Sequence, residues 1–156
     1  MIATRLFHGF ILTIVLMAIN PAARAQDEAA MKLAKELTTA GAKLFEKGDG
    51  AALAAQYMDD GEIAETTIEP FGSPVVKVQK GMENIKKIYE AAPGLAKLSP
   101  TNEVRYARFI QPDTLLITGD FSITDQGKST HFGFTQVRRK VGDAWKIVSL
   151  ELIIRK

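Results

Sequence analysis

The sequence predicts an α+β domain in which helices cover one face of an antiparallel sheet. Three observations carry this. Apolar residues recur at helical spacing in the first half, four long segments of the second half alternate like strands, and turns of a few residues join them. Short turns between long strands make an antiparallel meander, and helices placed ahead of it pack on one sheet face.

Residues 1–25 read as a cleavable signal peptide. Arg5 gives a positive start, Phe10 to Ile19 is an uncharged apolar run, Asn20-Pro21 breaks it, and Ala23-Arg24-Ala25 is a small-x-small cleavage signal. The run is shorter than the ~20 residues of a spanning helix. Cleavage after Ala25, export to the periplasm or the extracellular space, and no membrane attachment afterwards are the expectations. One α+β domain then fills residues 26–156.

A first helix is expected over 27–47, where Ala30, Leu33, Ala34, Leu37, Ala40, Gly41, Leu44 and Phe45 share a face. Lys47-Gly48 ends it with a cation and a C-cap glycine. Asp49 caps a short second helix, Gly50 to Met58, and Asp59-Asp60-Gly61 forms a turn. Glu62 to Ile68 reads as a strand, Pro70 to Pro74 as a loop, and Val75 to Val78 as a short strand. A third helix spans about Met82 to Ala92, with Met82, Ile85, Ile88 and Tyr89 on its apolar stripe, and Pro93-Gly94 stops it. Strands follow over 103–111, 114–124, 129–141 and 144–155. In the second of these Leu115, Ile117, Phe121 and Ile123 share one parity while Thr118, Asp120, Ser122 and Thr124 share the other, the alternation of a sheet with one covered face. The last strand is apolar on both parities, so both faces are covered or one meets a second subunit.

The composition, 46% hydrophobic and 24% charged, is that of a folded domain. Arg5 and Arg24 leave with the signal peptide, which takes Lys+Arg from 20 to the same 18 as Asp+Glu. A neutral chain has no net basic field for nucleic acid or anionic membranes. No cysteine is present, which excludes disulfides, thiol nucleophiles and thiolate metal sites. His131 is the one histidine left, so motifs that need two are absent. There is no G-x-S-x-G elbow and no glycine-rich phosphate cradle. No cofactor and no metal are expected.

Three stretches resemble the nuclear-transport-factor-2-like superfamily, and within it the SnoaL-like group. They are Lys47 to Leu53 with Tyr57 to Ile63 ("KGD…Y.DDGEI"), Gly81 to Tyr89 ("G…I…Y"), and Phe134 to Ile147 with Arg138-Arg139-Lys140-Val141-Gly142-Asp143-Ala144-Trp145. The resemblance covers about 27–155. It implies a cone-shaped, strongly curved antiparallel sheet closed over by three N-terminal helices, with a pocket at the open end. It also implies homodimers through the sheet. Members of the superfamily include isomerases, cyclases and hydrolases of apolar small molecules, and also binding or assembly modules. One fold hosts all of these, so fold alone does not choose.

Matching the ketosteroid isomerase pattern onto "DDGEIAE" places Glu65 at the general-base position, where an apolar pocket would raise its pKa; the alternative is an ordinary exposed acid on an edge strand. The family's first-helix Tyr falls near Gly41, and its oxyanion-stabilising Asp near Gln136 or Val137, so that apparatus is incomplete here. His131 is the one group left that titrates near neutrality; it serves as acid or base if it faces the pocket, or is a turn-proximal surface residue. Asp120 is a buried acid or a surface one, depending on which sheet face lines the cavity. Glu151 interrupts a hydrophobic strand and, if buried, needs a partner such as Arg138 or His131. Tyr57 and Tyr106 are candidate hydrogen-bond donors to a ligand, Tyr57 being also a candidate helix anchor. Phe134, Trp145 and Gln136 complete the candidate ligand-binding set, with core packing the alternative for the aromatics. Arg138-Arg139-Lys140 reads as a solvated strand end whose side chains alternate faces. Two functions remain open: a dimeric module that holds a small apolar molecule or assembles with a partner, and a cofactor-independent isomerase, cyclase or hydrolase using Glu65 and His131.

Overall fold

The computed structural model describes residues 21–91 and 98–155. Its elements are α1 (Pro21–Lys47), α2 (Gly50–Ala54), β1 (Tyr57–Ile68), β2 (Val75–Lys80), α3 (Met82–Ala91), β3 (Ser99–Gln111), β4 (Thr114–Asp125), β5 (Lys128–Val141) and β6 (Ala144–Arg155). The six strands form one sheet in the order β2-β1-β6-β5-β4-β3. α1 lies across β3 and reaches β4, α3 packs on β1 and β2, and α2 joins α1 to α3. Among the described residues no helix is long and apolar enough to cross a membrane.

Local chemistry sets the boundaries. Gly48 takes φ 68°, and the amides of Gly48 and Asp49 return to the carbonyls of Phe45 and Leu44, which closes α1. The Asp49 carboxylate accepts from the Ala52 amide at 2.9 Å and so caps α2. In β4, Leu115, Ile117 and Phe121 point toward the helices. Their partners in register on β5 are Arg138, Gln136 and Phe132, which therefore share that inner side. The core gathers Ala30 and Ala34 of α1, Ala54, Tyr57, Ile63, Ile85, Leu115, Ile117, Phe134 and Ile147.

The structure corrects several expectations. The antiparallel cone is not formed. β1 pairs with β6 in parallel, so the sheet is mixed, and β2 and β3 are free edges at opposite ends of a linear strand order, so it stays open rather than closing or curling strongly into a cone. α2 stops at Ala54, and Asp59-Asp60-Gly61 is no turn; it lies inside β1, where the register against β6 shifts between Tyr57 and Glu62. β3 begins at Ser99 rather than Glu103. α1 begins at Pro21 and runs through Ala25. The expected Pro93-Gly94 stop lies outside the described residues, as do residues 1–20 of the expected signal peptide. A second irregularity, between Val137 and Arg138 on β5 against Ser149 and Ile147 on β6, changes the parity of β6. It places Ile147 on the same side as Leu150 and Leu152, and leaves Ser149 and Glu151 on the other.

Candidate functional site

A cavity of about 130 Å³ lies between the helices and the inner side of the sheet. α1 contributes Thr38, Gly41, Ala42 and Phe45; Leu53 and Gln56 come from α2 and the segment after it; β1 gives Tyr57 and α3 Tyr89. The sheet supplies Asn102, Phe121, Phe134, Gln136, Arg138, Ile147, Leu150 and Leu152. Most of this wall is apolar, and no residue in it is acidic.

Its polar residues are bonded mostly to one another or to the backbone. Arg138 is 2% exposed. Its Nε donates to Gln136 Oε1 at 2.8 Å, one terminal nitrogen to the Trp145 carbonyl at 3.3 Å, and the other to Gln56 Oε1 at 3.4 Å. All three acceptors are neutral, and Arg138 forms no ion pair among the described residues. Burial lowers its pKa to about 10, against a smaller opposite pull from the oxygens of Tyr57 and Tyr89. It is therefore still a cation at neutral pH. An ion removed from water in this way costs on the order of several kcal/mol unless a counter-charge offsets it.

The Tyr57 and Tyr89 hydroxyls stand 3.0 Å apart. Burial raises the pKa of Tyr57 well above its usual value, helped by Tyr89, and burial also raises Tyr89. Both are neutral phenols over the physiological range. One O–H donates to the other, which leaves one hydroxyl hydrogen to offer elsewhere. Thr38 Oγ1 is bonded to the Ala34 carbonyl at 2.9 Å, and Asn102 Nδ2 donates to the Thr38 carbonyl at 3.1 Å. The cavity is thus a compact apolar chamber with a cation and a phenol pair. It contains no Asp, Glu, His or Lys for proton transfer near neutral pH.

The residues singled out from sequence separate across the sheet. Tyr57, Phe134 and Gln136 line the cavity, and Gly41 does too. Glu65 is half-buried on the inner side, level with Leu152 in register, but it is not part of the cavity wall. Asp120 faces the outer side, where it pairs with Arg105. His131 is exposed on that same outer side, opposite Ser122. Glu151 is exposed there as well and accepts from Thr66 Oγ1 at 3.2 Å; it meets neither Arg138 nor His131. Tyr106 is 45% exposed on β3, outside the cavity. Trp145 stacks near Phe109 with ring centroids 6.0 Å apart and reaches the site through its backbone carbonyl alone.

Sequence reasoning missed Arg138, Tyr89 and Gln56. Arg138 is not a solvated strand end. Its signal was present: strand parity puts it with Gln136 and Phe134, and so on the inner side, while Arg139 falls outside.

No family model matches the chain, and no curated protein matches it. Solved structures do. An NTF-2-like protein of unknown function from Shewanella oneidensis MR-1 is 14% identical with a TM-score of 0.62, over 76% of this chain and 93% of that one. An NTF2-like protein with a cystatin-like fold from Novosphingobium aromaticivorans is 20% identical with a TM-score of 0.56, over 86% and 88%. A ketosteroid isomerase-like protein from Erwinia carotovora atroseptica is 16% identical with a TM-score of 0.51, over 81% and 94%. At these identities the likeness is one of fold: the chain folds like proteins described as NTF2-like and cystatin-like.

Proposed function

We propose that the protein is an exported SnoaL-like binding module whose inner cavity holds one compact, mostly apolar molecule. The observation that carries this is the chamber itself: about 130 Å³, walled by Phe45, Phe121, Phe134, Ile147 and Leu150, with polar groups gathered around Arg138. Apolar pockets with a few convergent polar groups are the usual form of small-molecule sites. The catalytic alternative has less support. Glu65, Asp120 and His131 lie on two sides of the sheet, and none of them is in the chamber wall.

A homodimer through the outer sheet side belongs to the same proposal. Leu116, Val137 and Ile153 are half-buried there among threonines and serines, a mixed surface of the kind a second copy covers.

The test is native mass spectrometry of the protein purified from its host. A species carrying a defined extra mass of a small molecule is expected. Protein recovered only without adduct, with no small molecule in its organic extract, would contradict a stable carrier and favour assembly with a protein partner.

A further inference from the structure

The chamber holds a charge that no acidic residue among the described residues pairs with, and this narrows what fits it. Arg138 sits at 2% exposure with three neutral acceptors. A guanidinium carries five N–H donors, so each terminal nitrogen keeps a second hydrogen beyond these bonds. Both terminal nitrogens can thus still donate, and a carboxylate, with two acceptor oxygens, is the group a guanidinium binds most strongly. The unspent hydroxyl hydrogen of the Tyr57–Tyr89 pair is a further donor in the same wall. Asn102 spends one of its two amide N–H groups on the Thr38 carbonyl, and no lining residue is an acid that would repel an anion.

We infer that the natural occupant is a small carboxylic acid, bound as the carboxylate on Arg138 with its apolar body against Phe121, Phe134 and Leu150. This rests on the reading of the chamber as a binding site and names its ligand class. Size limits the body. A chamber of about 150 Å³ takes up a benzene-sized molecule, so the fit is a single aromatic ring or a short branched chain, not a steroid or a long fatty acid. Burial supports the choice, since a cation kept at about 10 by desolvation is still charged when such an acid is ionised.

The experiment titrates the protein at neutral pH with benzoate, benzamide and toluene, following ligand resonances and the Arg138 Nε–H signal by NMR. Benzoate is expected to bind at least tenfold more tightly than benzamide and to move the Arg138 signal, which toluene leaves in place. In Arg138→Gln the benzoate advantage is expected to vanish while toluene still binds. Benzamide binding as tightly as benzoate would overturn the inference, as would a benzoate advantage that survives Arg138→Gln. Should that variant fail to fold, an Arg138 signal in the wild type that benzoate leaves unmoved is the overturning result. Toluene binding without benzoate would sink the carboxylate and leave the chamber standing. Binding of none of the three would remove the chamber reading and the inference together.

Discussion

The two sides of β5 carry the same sort of alternating sequence but opposite chemistry. Inward, Phe134, Gln136 and Arg138 are buried, and the two polar members are bonded within the wall. Outward, His131 is exposed and Thr135 and Val137 are half-buried, while Asp120 on β4 pairs with Arg105 at the surface. A polar residue on the inner side is therefore costly and must be satisfied; one on the outer side is nearly free. This is why the unpaired charge of Arg138 has meaning and the ionisable groups of the outer side carry little.

The largest test of that contrast is Phe134→Ala, expected to cost about 3–5 kcal/mol through lost burial and the void left behind. Denaturant unfolding reads it. Gly119→Ala comes next at about 1–3 kcal/mol. The added Cβ would sit 2.9 Å from the Phe134 ring and overlap the Glu103 carbonyl oxygen on β3. A cost below about 0.5 kcal/mol would mean that β3 yields there.

The alkaline limb of stability sharpens the comparison further. As pH rises past the range where unfolded tyrosines ionise, the raised Tyr57 and Tyr89 keep their protons longer, so the folded state holds protons that the unfolded chain has lost. Arg138, lowered to about 10, gives up its proton sooner in the folded state than in the unfolded chain, which offsets part of this. Two raised phenols outweigh one lowered guanidinium, so the folded state binds more protons and stability should fall as pH rises above 10. Tyr57→Phe removes one phenol from the balance and should flatten that slope. An unchanged slope in the variant would show that the pair does not set it.

The smallest effects belong outside. His131→Ala and Arg105→Ala are expected to change stability by no more than about 0.5 kcal/mol and about 1 kcal/mol respectively. A larger loss in the assembled protein would show that a partner covers that side.

Much of the fold was legible because local rules set it. Asp49 caps as expected, Gly48 ends α1, and the parity of Leu115, Ile117 and Phe121 placed β4 correctly. The parallel pairing of β1 with β6 was not legible, because neighbours far apart in sequence leave no local pattern that gives their direction. Nor was the true face of β6. One irregularity opposite Val137 and Arg138 moves Ile147 to the side of Leu150, and a period-two reading of 144–155 has no means of seeing it. The cavity suffered from the same blindness in another form. Reading candidates by residue type favoured Glu65, His131 and Asp120, whereas the chamber gathers Arg138, Tyr89 and Gln56 from β5, α3 and the segment after α2.

If the inner chamber receives a small molecule, the outer side of the sheet should not respond to one. The direct measurement is methyl chemical-shift mapping with toluene on the wild type and on Gly41→Leu. The nearest groups to an added Cβ at Gly41 are the Gln56 amide atoms at 3.6 Å, so the new side chain enters the cavity. Toluene-dependent shifts are expected at Ile147, Leu150 and Leu152 in the wild type, with their loss in Gly41→Leu and no movement at Leu116, Val137 or Ile153. Shifts confined to the outer methyls, or inner shifts that persist in Gly41→Leu, would contradict the inner chamber as the binding site.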